Sequence, residues 1–336
     1  MTMNRRTALH AGTALLILGC TSSPAYALEL EIPVACTIGT DCFVQNYVDH
    51  DPGPGRHDFT CGQLTYDGEK GTDFRTPSYV SMRRGVRVLA AAPGVVRAVR
   101  DGMPDTNVNI AGRGNLQGKD AGNGVLIDHG DGWETQYSHL QRNSVSVRPG
   151  QRVEAGQALG LIGLSGNTEF PHLDFSVRHN DSVVDPYVGL VPSFACNGAR
   201  KPLWSAAALP QLAYRASGAL SAGFAAERPV AERARDGAYD NQALPNDAGA
   251  IVFWVDTFGV RAGDRQSIRI TDGSGRLVHE ATTTLPTDYV VWFAFAGTRR
   301  PANGWQSGTY KGVYSLSRGG TPVIEISRTI SLAPPS

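Results

Sequence analysis

Thiols, imidazoles and carboxylates are the side chains that can hold a metal or move a proton, and in this chain their spacing separates two chemistries. Cys36, Cys42, Cys61 and Cys196 follow a fifth cysteine, Cys20. Zinc sites built from thiolates usually bring a C-x-x-C pair, and none occurs here. An even set of four in an exported chain reads instead as two disulfides. Cys36 with Cys42 and Cys61 with Cys196 is the preferred pairing among the three connectivities that four cysteines allow. The second chemistry lies in compact motifs: Gly68-Glu69-Lys70-Gly71-Thr72-Asp73-Phe74, Tyr137-Ser138-His139-Leu140 and Pro171-His172-Leu173-Asp174-Phe175. Imidazole transfers protons near neutral pH, and clustered carboxylates suit hard cations.

These motifs occur in a fixed order with others. Gly85–Gly94 fits G-x-x-V-x-A-x-x-x-G, and Gly122–His129 fits G-N-x-V-x-I-x-H. Gly150–Gly163 with Ser165-Gly166 fits G-x-x-V-x-x-G-x-x-I-G-x-x-G-x-[ST]-G, and Val184-Asp185-Pro186 closes the series. From about Asp67 to Tyr187 the chain resembles the lysostaphin-type, or LytM-like, zinc metallopeptidases that cut peptide cross-links in bacterial peptidoglycan.

The resemblance implies a zinc ion held by the His and Asp of H-x-x-x-D and by the second His of H-x-H, with an open position for water. It also implies that the first His of H-x-H and the His of Y-x-H-L flank that water and the scissile carbonyl, moving protons and steadying the oxyanion. This chain departs at the metal. Its ligand positions are Glu69, Asp73 and Asp174, so only the aspartate of the family set is kept, while both proton-transfer histidines remain as His139 and His172. Three carboxylates in one cavity favour Ca²⁺, Mg²⁺ or Mn²⁺ over zinc; otherwise a carboxyl takes up a proton or Lys70 compensates. The expected cofactor is therefore none or a weakly held divalent cation, with zinc only if the altered site still binds it. His172 is a conceivable replacement ligand. His57, shortly before the core, is the other stand-in to inspect; it otherwise reads, like His50, His129 and His179, as surface or structural.

The elements that must position these groups are mostly β. With 39 Gly and 20 Pro and no long helical periodicity, short strands and turns dominate. Strands are expected at Val86–Ala92, Val95–Val99, Gly124–His129, Trp133–His139, Val145–Val147, Ala158–Ile162 and Leu173–Val177. The fold expected is a lysostaphin-type antiparallel sheet core (lipoyl-like, duplicated-hybrid in style) followed by an immunoglobulin-like β-sandwich. Residues 1–27 read as a signal peptide, 28–65 as a loop-rich segment pinned by disulfides and 66–190 as the peptidase-like domain. A linker is expected over 191–236 and the sandwich, as an accessory module, over 237–333.

Arg5 and Arg6, the short apolar run Ala8–Gly19 and the A-x-A arrangement before Ala27 imply secretion or a periplasmic location after cleavage near Ala27. Lipidation at Cys20 is the minority alternative, and no transmembrane span is expected in the mature chain. Lys plus Arg equals Asp plus Glu at 31 each, so no overall charge draws nucleic acid or an anionic membrane. The partners implied are peptidoglycan peptides or a cell-wall hydrolase. Two functions follow from the resemblance: a catalytically impaired module that binds the wall or regulates a hydrolase, or an active metalloendopeptidase with a carboxylate-rich metal site.

Overall fold

A computed structural model describes Met1, residues 28–240 and residues 243–332. Residues 2–27 of the expected signal peptide, Cys20 among them, lie outside the described residues. The first half of the chain supplies strands β1 (Phe43–Asn46), β2 (Thr72–Arg75), β3 (Arg87–Leu89), β4 (Gly94–Arg100), β5 (Asn123–Gly130) and β6 (Trp133–Leu140). Four more follow: β7 (Arg152–Val153), β8 (Ala158–Leu161), β9 (His172–His179) and β10 (Ser182–Val183). The main sheet runs β1-β2-β9-β6-β5-β4-β7, with β10 on the flank of β9, and β3 pairs separately with β8. Every pairing in these two sheets is antiparallel.

Alternation along the strands explains the sheet's two faces. Phe74 on β2, Leu173, Phe175 and Val177 on β9, and Tyr137 on β6 enter one apolar core. The residues between them, Asp73, Arg75, His172 and Asp174, stand on the other face. Asp73 pairs with Asp174 and Arg75 with His172 across the β2–β9 ladder. Register alone therefore brings two of the three carboxylates together.

The segment before the sheet is more than a loop. β1 adds an edge strand to β2, and Leu30, Val34, Phe43, Tyr47 and Leu64 share the main core. The cysteine- and glycine-rich composition hides this strand, whose residues are buried by the fold rather than by a local pattern. Cys36 is bonded to Cys42, and Cys61 to Cys196 across a separation of 135 residues. The second bridge ties this segment to the far end of the peptidase-like region and closes a loop long enough to remove much chain entropy from the unfolded state. At Val145–Val147 the expected strand is absent. Ser146 N–H bonds Leu159 O at 2.9 Å, but no ladder forms around it.

The second half forms two sheets. Strands β11 (Gly218–Ala225), β12 (Ala243–Leu244), β13 (Ala250–Val260), β14 (Arg265–Thr271), β15 (Leu277–Thr284), β16 (Tyr289–Arg299), β17 (Gly308–Arg318) and β18 (Thr321–Leu332) order as β11-β13-β16 and β12-β18-β17-β14-β15. They enclose Phe224, Phe253, Val255, Ile270, Tyr314 and Ile324 as a sandwich. The stretch taken as linker contains β11, so the sandwich begins before residue 237. Alanine and glycine in β11 give it little strand propensity, yet they are what the packing requires: a Cβ at Gly223 would lie 2.8 Å from the Trp254 ring.

The two halves are in direct contact. Leu220 and Phe258 of the sandwich join the main core, and the Phe258 ring meets Phe43 edge-on at 6.1 Å. Helix α1 (Tyr79–Arg84) reaches the region of the short helix α2 (Ala231–Arg235) through Arg83, which pairs with Asp236 at 2.7 Å. Among the described residues no helix is long and apolar enough to cross a membrane.

Candidate functional site

Glu69, Asp73 and Asp174 converge so that one carboxylate oxygen from each lies within 4.8 Å of the others. Strand pairing places the aspartates, and the turn before β2 places Glu69. Glu69 Oε1 accepts the backbone N–H groups of Lys70 at 2.8 Å and Gly71 at 2.7 Å, which folds the side chain back over the strand entry. Glycine is needed at position 71 because a Cβ there would collide with Asp174 Oδ1. Asp73 Oδ2 accepts Asn46 Nδ2–H at 2.7 Å, so β1 also contributes to the site. Asp174 Oδ1 accepts the Ser176 hydroxyl at 3.2 Å.

The two histidines stand beside this cluster with their rings 4.7 Å apart. His139 Nδ1 lies 2.7 Å from Ser165 O, and His172 Nδ1 lies 2.9 Å from Phe170 O. A carbonyl only accepts, so each Nδ1 carries the hydrogen and each Nε2 is directed elsewhere. For His172 that atom faces Asp73 Oδ1 at 3.4 Å. His139 sits at φ +62°, a left-handed backbone that strands avoid, and this turns its side chain out of the alternation of β6.

Burial and close neighbours shift the titration of every group in this cavity. Burial, then Asp73 and Asp174, push the Glu69 carboxyl up to about 10. Burial and Asp73 raise Asp174 to about 6. Burial works against ionisation of Asp73 too, but His172 and Asn46 outweigh it and hold its pKa down. His172 is raised in turn, because Asp73 overcomes the effect of burial. Burial and the neighbouring His172 press His139 down to about 3. The environment thus favours the charged forms of Asp73 and His172, the protonated form of Glu69 and the neutral form of His139.

Lys70 plays no compensating part through its side chain: it is exposed, and only its backbone touches Glu69. His57 stays outside the cluster, its ring stacked 5.7 Å from that of Phe194. His50 bonds Asp185 at 2.7 Å, His129 spans Pro93 O and Thr135 Oγ1, and the His179 ring lies against Trp133. Two buried oxygens, Glu69 Oε2 and Asp73 Oδ1, have no hydrogen-bond partner. Unsatisfied oxygens on adjacent carboxylates fit a cation. The all-oxygen donor set fits a hard divalent ion and does not fit zinc's preference for imidazole.

A cleft of about 660 Å³ opens along the site. Asp73, His139 and His172 line it, whereas Glu69 and Asp174 do not. Its walls also include Asn46 and Arg75 from the first two strands and Arg235, Val290 and Val291 from the sandwich side. Asn46 and Arg75 are contributions that motif reading missed. The period-two alternation of Asp73 and Arg75 was the available signal for the second; nothing local marked the first.

Comparison with known proteins converges on the same segment. Residues 68–186 match Peptidase family M23. The cell division protein DipM of Caulobacter vibrioides is 35% identical over 119 residues, which cover 35% of this chain and 17% of DipM. The DD-carboxypeptidase/endopeptidase Mpg of Neisseria meningitidis serogroup B is 31% identical over 125 residues, 37% of this chain and 26% of Mpg. The murein hydrolase activator EnvC of Escherichia coli is 37% identical over 100 residues, 30% of this chain and 22% of EnvC. The chain thus spans well under a third of the length of each of these relatives. Sheet, motif order and sequence match agree that residues 68–186 resemble peptidase family M23.

Proposed function

We propose that this protein acts at bacterial peptidoglycan as an M23-fold module that binds cell-wall peptide in its cleft without zinc-dependent hydrolysis, serving to bind the wall or to regulate a hydrolase. The observation that carries this reading is the replacement of both imidazole ligand positions by carboxyls, Glu69 and Asp174, converging on Asp73. The three ligand positions offer only carboxylate oxygens, and Asp73 is already engaged by Asn46 and His172, so the cradle lacks the imidazole nitrogens zinc favours. The cleft remains, and peptide binding needs no metal. The relatives' names span both outcomes, an endopeptidase in Mpg and a hydrolase activator in EnvC. Two disulfides support action outside the cytoplasm.

A second reading is favoured by Glu69 Oε2, which has no hydrogen-bond partner, and by Asp73 Oδ1, met only at 3.4 Å by His172 Nε2, together with the retained His139 and His172. It is a metalloendopeptidase using an oxygen-liganded divalent cation. Such an ion, when bound, would polarise a carbonyl and acidify a water. Glu69, Asp73 and Asp174 would hold it, and His139, neutral with Nε2 free of the Ser165 contact, would be the group able to take a proton.

Co-sedimentation with purified peptidoglycan sacculi, with release of soluble fragments followed in the same tubes, separates the two. Retention without release, with or without Zn²⁺, Mn²⁺ or chelator, is expected. Release that chelator abolishes and Mn²⁺ restores would replace the first reading by the second.

A further inference from the structure

The cleft holds a buried cation that no anion among the described residues completes. Arg75 follows Asp73 by two residues on β2 and therefore shares its face of the sheet, opposite His172 in the register. It is 3% exposed yet lines the cleft. Its guanidinium lies 4.4 Å from the centre of the Phe170 ring, and Nη1 donates to Gln45 Oε1. Nε has no partner. Both nearby acids are committed elsewhere: Asp73 to Asn46 and His172, and the fully buried Asp256 to Arg235, through bonds of 2.7 and 3.0 Å. Among the described residues, Arg75 forms no ion pair.

A buried guanidinium without a counter-ion is costly, and a fold tolerates it where a ligand supplies the missing charge. Stacking on Phe170 and the bond to Gln45 hold the planar group in place, so its donors are oriented before any ligand arrives. Arg235, fixed by Asp256, lines the cleft from the sandwich side, while Val290 and Val291 offer an apolar surface there. Glu169 and Glu232 also border the cleft, so it is not uniformly positive and would select position rather than bulk charge.

We propose that Arg75 is the recognition residue for a carboxylate on the peptide that enters the cleft, with the sandwich supplying the opposite wall. The proposal deepens the peptide-binding reading above and rests on it. It makes the C-terminal unit part of the binding site rather than a separate attachment. An arginine meeting a carboxylate through two parallel N–H bonds gives both strength and orientation.

The test is fluorescence polarisation on the full chain with a labelled L-Ala-γ-D-Glu-L-Lys-D-Ala probe, compared with the same peptide bearing amides at both carboxyl groups. The acidic probe is expected to bind at least about tenfold more tightly, the scale of one charge-assisted contact. Arg75→Gln should erase that preference, and Arg75→Lys should restore part of it. Circular dichroism checks that each variant is folded; if Arg75→Gln does not fold, the comparison of probes on the unaltered chain still decides. Equal affinity for the two probes, no binding of either, or a preference that survives in folded Arg75→Gln overturns the proposal. Co-sedimentation with sacculi reports separately on the underlying reading. Retention without carboxylate preference removes the Arg75 assignment alone. Loss of retention with an Arg75-dependent preference removes the cell-wall reading and keeps the assignment.

Discussion

Strands β2 and β9 present two faces that share a backbone and answer to opposite demands. On the inner face Phe74, Leu173 and Phe175 are fully buried among other apolar side chains, as close packing requires. On the outer face Asp73, Arg75 and His172 are nearly as inaccessible but polar, Asp174 is half-buried, and two atoms, Asp73 Oδ1 and Arg75 Nε, lack hydrogen-bond partners. The inner face is what an M23 sheet needs in order to exist. On the proposed reading the outer face is where a ligand completes the chemistry, and Asp174, one of the two positions that depart from the metal pattern the resemblance implies, lies there. Framework and reaction can therefore be altered independently, since one residue step along a strand separates them.

The sharpest way to break this comparison is to restore the family's ligands on the outer face. Glu69→His with Asp174→His should take zinc affinity from unmeasurable to on the order of 1 μM or tighter, read by calorimetry. Failure to bind would mean that these positions are not the ligand positions. On the inner face, Phe175→Ala should cost about 3–5 kcal/mol in denaturant unfolding. A loss as small as that of a surface change would remove the distinction between the faces. Asn46→Ala strips a hydrogen bond from a buried carboxylate and should cost about 1.5–3 kcal/mol. A neutral result would show that Asp73 does not depend on β1.

A further effect concerns Glu69 and has a sign set by pH. A carboxyl whose folded-state pKa is raised to about 10 contributes most to stability below its unfolded value, and that contribution fades as pH rises toward the raised one. Glutamine does not titrate. Glu69→Gln should therefore match the parent near pH 4 and gain over it progressively toward pH 9, in chelator, by melting temperature. A gap that stays constant or narrows with pH would show that Glu69 is ionised in the folded protein.

Much of the site was legible because its residues lie in turn-bounded motifs. Gly71, Asp73, Tyr137, His139, His172 and Asp174 could each be placed by pattern, and the antiparallel register then brought the carboxylates together. Asn46 could not be found in this way. Its strand sits among Cys, Gly and Asp residues, and only pairing with β2 makes it β. Strand β11 escaped for the reverse reason: alanine and glycine are poor strand formers, but Trp254 and Phe258 need small neighbours. The cleft wall formed by Arg235 and Val290 depends on how the sandwich docks, which no local spacing encodes.

The most direct test of the central claim is zinc binding by the purified protein, using calorimetry with elemental analysis of the same sample. No stoichiometric zinc, in a protein that remains folded and retains its disulfides, is the predicted result. One tightly bound zinc per chain would contradict it and make the carboxylate cluster a working zinc site.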